Sequence, residues 1–182
     1  KLFFFFFLEK NNNGSYYIKD VYCHKTFTTE NSSIGPDRIP EDTKINCEHT
    51  WPQSKFTGQF PRDMQKSDLH HLFPTDSKAN STRGNYNFAE VRDNGELGAY
   101  KCQASKSGPS LISGGDNYFE PPAEHKGNVA RAIFYFSVRY QIDIPNEEED
   151  YLRKWHELDP VDDEEIARND SILGIQGNKN PF

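Results

Sequence analysis

The segment INCEHTWPQS, residues 45–54, decides the fold together with SDLHHLFPTDSKANSTRGNYNF, residues 67–88. In the first segment, Glu48 and His49 are adjacent at the end of the predicted strand KINCEH. Adjacent residues of a strand point to opposite faces of a sheet, so these two side chains share a site only where the strand bends or ends. Trp51 precedes a proline, and a residue in that position avoids helical backbone angles. The first segment therefore predicts a strand that ends in a loop just after His49.

The second segment predicts a strand followed directly by a short helix. Residues 68–73 alternate along the chain and precede a proline, a pattern typical of a strand that ends there. Thr75 or Asp76 is a suitable N-cap for the helix, which we expect to run to Asn85. The two segments together give the order strand, loop, strand, helix, with His49 at the end of the first strand and Asn85 on the helix.

The residue types in this arrangement suit the hydrolysis of a phosphodiester bond. The reaction needs a general base for water, a cation to stabilise the charged phosphorane, and help for the leaving oxygen. A neutral imidazole at His49 supplies the base near pH 7, so activity should fall in acid. Mg²⁺ prefers one or two protein oxygens plus waters and substrate phosphate, which the Glu48 carboxylate and the Asn85 amide oxygen satisfy. The spacing by itself is not unique to this chemistry.

The flanking regions predict an N-terminal hairpin and three C-terminal helices. LFFFFFL, residues 2–8, and YYIKDVYC, residues 16–23, are aromatic-rich runs joined by a turn cluster, which indicates a β-hairpin. The helices are expected in three segments: GNVARAIFYFSVRYQ with Asn128 as N-cap, PNEEEDYLRKWHEL, and VDDEEIARNDSILG capped by Asp159. The inner face of the second is assigned to Tyr151, Leu152, Trp155 and Leu158. The fold class is therefore α+β.

Composition indicates a single globular domain over residues 1–182, and we expect the chain to lack residues at both ends. The net charge of −7 is uneven, because residues 141–182 carry four basic and twelve acidic residues. The acidic balance therefore does not exclude binding of nucleic acid, which local patches decide. The apolar run at residues 2–8 is too short to span a bilayer, which needs ~20 residues.

The three cysteines, Cys23, Cys47 and Cys102, allow one disulfide and leave its pairing open. A zinc site built from Cys23, His24, Cys47 and His49 is an alternative. It lacks the paired spacing typical of structural zinc sites, and no HExxH motif is present.

The chain resembles the bacterial endonuclease I family of secreted or periplasmic nucleases, within the ββα-metal (His-Me finger) superfamily. The matching blocks are CEHTWPQS, SDLHHLFPTDSKANSTRGNYNFAEV, KGNVARAIFYF and IQGNKNPF, which occur in the family's order over most of residues 45–182. Residues 1–44 match loosely. The resemblance implies a ββα-metal finger at about residues 44–90 packed among several helices. It also implies that His49 is the general base and that Glu48 and Asn85 are metal ligands.

Further roles are assigned more loosely. In some family members a phosphate-stabilising arginine lies in a longer insertion, where this chain has only Arg62. Arg62, Arg83, Lys126 and Arg131 are candidates for contacts with substrate phosphates, with surface solvation or an internal ion pair as the alternative for the last three. Asp68 and His70 are candidates for supporting roles, and Trp51 is expected to be a packed anchor.

The resemblance implies a largely sequence-nonspecific endonuclease that cleaves DNA, and in some members RNA, leaving 5′-phosphate ends. The implied cofactor is Mg²⁺, with Ca²⁺ or Mn²⁺ able to occupy the site. We expect a secreted or periplasmic monomer with no membrane partner. The alternatives are a catalytically inactive nucleic-acid-binding module of the same fold and a zinc-bearing interaction protein.

Overall fold

The computed structural model describes residues 7–36, 38–92, 96–97, 102–112 and 116–182. The strands, in chain order, are β1 (Glu9–Lys10), β2 (Tyr16–Lys19), β3 (Thr26–Thr28), β4 (Ile45–His49), β5 (Leu72–Asp76), β6 (Asn87–Phe88), β7 (Glu96–Leu97), β8 (Cys102–Pro109) and β9 (Asn117–Glu120). The helices are α1 (Thr29–Ser32), α2 (Arg62–Ser67), α3 (Ser77–Arg83), α4 (Lys126–Tyr140), α5 (Asn146–Leu158) and α6 (Asp163–Gln176). Short 3₁₀ turns occupy Gln53–Lys55, Leu69–His71 and Ala123–His125. The predicted α+β class is confirmed.

The strands form small, separate sheets. The first has the order β1-β2-β3, the second pairs β4 with β5, and the third has the order β6-β9-β8-β7. β1 and β2 are antiparallel, with Glu9 opposite Tyr17. The first predicted hairpin strand is not tested over residues 2–6, which lie outside the described residues, and Phe7 and Leu8 precede β1 rather than belonging to it.

Strands β4 and β5 present the predicted Glu-His pair. They are antiparallel, with Glu48 opposite Phe73 and His49 opposite Leu72. The predicted first strand is confirmed, but the second was predicted too early, since Leu69–His71 form a 3₁₀ turn. Pro74 lies inside β5 rather than ending it. Its carbonyl accepts a hydrogen bond from the Val21 N–H, so the backbone nitrogen and carbonyl of Pro74 face away from β4. The N–H group that proline lacks would therefore not have bonded to β4, and no hydrogen bond between the strands is lost.

Helix α3 follows β5 without a loop because Asp76 caps it. The Asp76 carboxylate accepts hydrogen bonds from the backbone N–H groups of Lys78 and Ala79, as predicted for an N-cap at this position. The helix ends at Arg83, because Gly84 takes a φ of 55°. Asn85 therefore lies just beyond the helix rather than on it.

Helix α4 forms the buried centre of the molecule and packs against α5. The side chains of Val129, Ile133, Phe136 and Tyr140 are buried, which confirms the predicted stripe. It begins two residues before the predicted cap Asn128, following the 3₁₀ turn at His125.

Two details of the later helices differ from prediction. Leu158 is 69% exposed, because the helix ends there, and it does not join the buried Tyr151, Leu152 and Trp155. The cap of α6 is Asp162, whose side chain accepts a hydrogen bond from the Glu165 N–H, and not Asp159. None of the helices among the described residues is both long and apolar enough to cross a membrane.

A disulfide joins Cys23, after β2, to Cys102 in β8, and leaves Cys47 with a free thiol. It resolves the pairing that the sequence left open. The zinc alternative is thereby excluded in its predicted form, because the sulfur of Cys23 is committed to the disulfide.

Candidate active site

A surface cavity of ≈ 440 Å³ lies where the ends of β4 and α3 meet. It brings Glu48, His49 and Asn85 together, as the sequence predicts. The residues that line it are Cys47, Glu48, His49, Pro52, Gln53, Ser54, Asn80, Arg83, Gly84 and Asn85.

Glu48 is buried at the wall of this cavity and is held through one oxygen. Its Oε1 accepts a hydrogen bond from the Tyr22 hydroxyl at 3.0 Å and lies 3.0 Å from Nη1 of Arg83. Among the described residues, no hydrogen bond to Oε2 is formed. Burial raises the pKa of Glu48, while the Arg83 charge and the Tyr22 hydrogen bond oppose that shift. The site thus holds a carboxyl group with one oxygen in a hydrogen bond and an ion pair, and the other oxygen without a hydrogen bond among the described residues.

His49 is half-buried, and its ring is oriented by a backbone carbonyl. Nε2 lies 3.1 Å from the carbonyl oxygen of Lys66, and Nδ1 lies 3.4 Å from Nε2 of Gln53. A carbonyl only accepts hydrogen bonds, so Nε2 carries the proton and Nδ1 carries the lone pair. Burial lowers the pKa of His49 to about 4. The imidazole is therefore neutral at pH 7, with its basic nitrogen at the cavity side, next to Gln53.

Helix α2 supplies the carbonyl that orients His49, and Gln65 fixes this helix. The buried Gln65 side chain accepts from the Thr57 N–H and donates to the carbonyls of Thr57 and Phe60. The Gln65 carbonyl accepts a hydrogen bond from Nε2 of His71 at 2.9 Å. The adjacent carbonyls of Gln65 and Lys66, at the end of α2, thus orient His71 and His49.

Two asparagines offer amide oxygens to the cavity. Asn85 is exposed, and its amide nitrogen makes a single long contact of 3.5 Å with Ser54 Oγ. Asn80, on α3, is half-buried, and its amide nitrogen donates to Asn46 Oδ1 at 2.7 Å and to the Cys47 carbonyl at 3.3 Å. Oδ1 of Asn80 has no partner among the described residues. Asn80, which the sequence analysis did not name, is therefore the more firmly held of the two amides.

Arg62 lies at the rim of the cavity. Its guanidinium donates to the Gln53 carbonyl at 3.2 Å and lies over the ring of Phe56. Gln53 also contacts Nδ1 of His49, so a single residue links the exposed cation to the imidazole. Arg62 remains a candidate for contact with a substrate phosphate.

The three other predicted cations all form ion pairs within the protein. Arg83 is buried against Glu48 and donates to the carbonyls of His49 and Thr50, and Lys126 pairs with Glu120. Arg131 is buried and pairs with Glu165. Lys126 and Arg131 do not line the cavity. All three cations thus form the internal ion pairs that were the alternative to phosphate contact. Contact of these three residues with substrate stays a prediction.

Asp68 and His70 lie behind the site in a buried network. Oδ2 of Asp68 accepts hydrogen bonds from the hydroxyls of Tyr135 and Tyr140 at 2.9 and 2.8 Å. Its Oδ1 accepts from the His70 N–H, and Nε2 of His70 contacts the Asn178 carbonyl at 3.1 Å. These bonds join the 3₁₀ turn at Leu69–His71 to α4 and to the C-terminal segment. The buried Trp51 stacks on Phe136, as expected of a packed anchor.

Three groups at the site were not predicted from the sequence: Tyr22, the Lys66 carbonyl and Asn80. Tyr22 is 26 residues from Glu48, in the region that matches the family loosely, so no spacing rule connects them. Every residue has a backbone carbonyl, so the residue type at position 66 does not indicate this contact. Asn80 had a usable signal, since the Asp76 cap places it on the helix that follows β5.

The oxygen donors of this cavity fit a hard cation. The unbound carboxylate oxygen of Glu48 and the unbound amide oxygen of Asn80 or Asn85 are the ligand types that Mg²⁺ takes in small numbers. Among the described residues, no group of three or more His, Cys, Asp and Glu side chains forms a dedicated metal cage. Solvent and substrate oxygens would therefore complete the coordination.

Comparison with known proteins gives matches among bacterial nucleases. The chain is 37% identical over 156 residues to an extracellular ribonuclease of Bacillus subtilis, covering 75% of this chain and 50% of that protein. It is 32% identical over 122 residues to an extracellular deoxyribonuclease of Aeromonas hydrophila, covering 66% and 50%. It is 30% identical over 118 residues to endonuclease-1 of Buchnera aphidicola, covering 64% and 44%. The chain thus spans about half the length of the curated relatives it matches.

The sequence model of the Endonuclease I family matches residues 7–182, which is nearly the whole chain. The matched region includes the strand pair, the cavity and the helices that support it. The chain therefore belongs to the endonuclease I family.

Proposed function

We propose that the protein is a metal-dependent, largely sequence-nonspecific endonuclease that hydrolyses phosphodiester bonds of DNA or RNA and leaves 5′-phosphate ends. The observation that carries the proposal is the orientation of His49. Its Nε2 is bound to the Lys66 carbonyl, and its lone-pair nitrogen shares a cavity with the Glu48 carboxylate. The strand pair β4–β5 with helix α3 then forms the ββα-metal finger.

His49 acts as the general base in this proposal. Nδ1 takes a proton from a water molecule, and the resulting hydroxide attacks phosphorus in line with the P–O3′ bond. The Lys66 carbonyl keeps the other ring proton on Nε2, which fixes the tautomer and stabilises the imidazolium as it forms. The P–O3′ bond breaks, the 3′-oxygen gains a proton from solvent, and the phosphate stays on the 5′ end of the other fragment.

Glu48 and an asparagine amide oxygen hold the cation, which we take to be Mg²⁺, with Ca²⁺ or Mn²⁺ able to occupy the site. When bound, such an ion supplies positive charge for the phosphorane and for the departing 3′-oxygen. Asn85 is the ligand predicted from the sequence, and Asn80 is the better placed of the two. Arg62 at the rim is positioned to contact a non-bridging oxygen or a flanking phosphate.

The similar proteins guide the choice of substrate. One is named a ribonuclease and another a deoxyribonuclease, so we propose that both polymers fit this open cavity. Several are named extracellular or periplasmic, which supports secretion of this protein as well. We propose that it acts as a monomer.

The direct test measures nicking of supercoiled plasmid and degradation of RNA, with Mg²⁺ and with EDTA. EDTA should abolish both activities. We expect His49→Ala to lose at least about 100-fold in rate, because general base catalysis contributes 10²–10⁴-fold. His24→Ala, an exposed histidine outside the cavity, is the matched control and should retain activity.

Undiminished cleavage by His49→Ala would refute the mechanism. If the wild-type protein binds DNA and RNA without any turnover in Mg²⁺, Mn²⁺ or Ca²⁺, the protein is instead a nucleic-acid-binding module of this fold.

A further inference from the structure

We propose that Tyr22 is a positioning residue for Glu48, and that its hydroxyl determines which carboxylate oxygen faces the cation. The inference rests on the proposed function. It concerns a residue outside the blocks that carry the family resemblance, in the turn between β2 and β3.

The geometry around Glu48 is asymmetric. The Tyr22 hydroxyl and Nη1 of Arg83 both lie 3.0 Å from the same atom, Oε1. The two carboxylate oxygens cannot exchange places unless the Tyr22 hydrogen bond and the ion-pair contact with Arg83 both break. Oε2, which accepts no hydrogen bond from the described residues, is thus the oxygen left for an ion in the cavity.

Tyr22 is well suited to fix a neighbour because it is itself immobilised. Its side chain is fully buried, with its ring 4.7 Å from that of Phe119 and 6.1 Å from that of His125. Its carbonyl accepts a hydrogen bond from Ser105 Oγ at 2.7 Å. The next residue, Cys23, is bound by the disulfide to β8.

The buried Asp20 connects this turn to the finger. Its Oδ1 accepts hydrogen bonds from the N–H groups of Tyr22 at 3.0 Å and Asp76 at 2.8 Å. Its Oδ2 accepts from the N–H of Cys23 at 2.7 Å. Asp76 is also the cap of α3, so one carboxylate sets the position of Tyr22 relative to the strand and helix that build the cavity.

Packing alone does not require the hydroxyl. A phenylalanine would fill the same space and keep the ring contacts, but Oε1 would lose its hydrogen bond and keep the ion-pair contact with Arg83. Residues that orient metal ligands typically contribute 10–100-fold to metal affinity or activity. The hydroxyl of Tyr22 is therefore expected to act on ion binding more than on folding.

The test uses Tyr22→Phe in the full chain and measures Mn²⁺ binding by titration calorimetry, without nucleic acid. We expect the Kd for Mn²⁺ to rise about tenfold. The Mg²⁺ concentration for half-maximal plasmid nicking should rise in parallel, while the rate at saturating Mg²⁺ approaches that of the wild type. A purely structural role would lower the rate at every Mg²⁺ concentration and leave the half-maximal concentration unchanged.

Tyr118→Phe is the matched control. Tyr118 is also buried and also donates to a carboxylate, that of Glu147 at 2.9 Å, but it does not line the cavity. It should leave Mn²⁺ affinity unchanged. Incorporation of 4-aminophenylalanine at position 22 restores an N–H donor, and should return the Kd to within about threefold of the wild type.

The outcomes separate this inference from the proposed function. Wild-type affinity in Tyr22→Phe, together with lost binding in Glu48→Gln, overturns the role of Tyr22 and leaves the cation site standing. Wild-type affinity in Glu48→Gln overturns the cation site and the role of Tyr22 with it. If Tyr22→Phe does not fold, failure of the 4-aminophenylalanine protein to bind Mn²⁺ like the wild type overturns the inference.

Discussion

Glu48 combines two requirements that oppose each other. A buried carboxylate loses its hydration, which favours the neutral acid, yet the cation ligand that we propose at this residue must be charged. Arg83 and Tyr22 resolve this opposition because both stabilise the charged form and both use the same oxygen. The guanidinium of Arg83 is itself 4.6 Å from the ring of Phe88 and bound to backbone carbonyls of β4 and its end. Arg83, a candidate for phosphate contact from the sequence, is thus placed to stabilise the Glu48 carboxylate.

The two asparagines can be separated by substitution. We expect Asn80→Ala to reduce plasmid nicking at least about tenfold, and Asn85→Ala to have the smaller effect, because Asn80 is held by two bonds that orient its free oxygen. Rates and Mg²⁺ half-saturation should be measured for both. A larger loss in Asn85→Ala would reverse the assignment and restore the ligand predicted from the sequence.

Among the elements, helix α4 depends on close approach of its first turn to the connection between α5 and α6. The N–H of Gly127 donates to the Asp159 carboxylate at 2.7 Å. A Cβ atom at Gly127 would lie 2.0 Å from the Asp159 carbonyl oxygen and 2.6 Å from Nη2 of Arg131. The same carbonyl accepts a hydrogen bond from Arg131, so neither group can withdraw without breaking it. This position therefore requires glycine for steric reasons.

Paired glycine substitutions test this contact. Gly127→Ala should lower the free energy of unfolding by about 1–3 kcal/mol or more, as overpacking does. Gly174→Ala, inside α6, meets no atom within 4 Å and should instead raise stability by about 0.5–1 kcal/mol. Urea denaturation of both variants gives the comparison. Equal stabilities would contradict the close approach at Gly127.

In the whole molecule, the buried His71 and His125 link stability to pH. Burial lowers the pKa of His71 and of His125 to about 3. His71 packs against His49 and Phe136, and His125 against Tyr22 and Phe73. The unfolded chain protonates histidine near pH 6.5, so between about pH 6.5 and pH 3 it binds protons that the folded protein excludes. Stability should therefore fall as the pH falls through this range.

We expect each of these histidines to contribute about 1.4 kcal/mol of unfolding free energy per pH unit between about pH 5.5 and 4. His125→Phe should reduce the slope of unfolding free energy against pH by about that amount. Phenylalanine suits the aromatic surroundings of this position. Unfolding by urea at a series of pH values measures the slope. The exposed His24→Gln is the matched control, and an unchanged slope in His125→Phe would contradict the prediction.

Local sequence signals located several elements that surround or support the cavity. The strand at residues 45–49, the cap at Asp76 and the buried face of α4 follow from alternation, capping chemistry and helical spacing, each set by residues close in sequence. The start of β5 was misplaced because Leu69–His71 alternate like a strand but are held in a 3₁₀ turn by the side chains of Asp68 and Gln176. Gln176 is more than 100 residues away, beyond the reach of any local pattern.

By itself, the sequence determined that this chain is an α+β member of the endonuclease I family and which Glu-His pair lies at the centre of its candidate site. The family follows from the resemblance of four ordered blocks over most of residues 45–182, and the fold class from helix and strand patterns set by residues close in sequence. The tertiary structure alone decided the pairing of Cys23 with Cys102, the burial of Arg83 against Glu48, the tautomer of His49 and the place of Tyr22. Each of these depends on an atom brought from a distant part of the chain, because a buried charge or imidazole must find its partner wherever the fold supplies one.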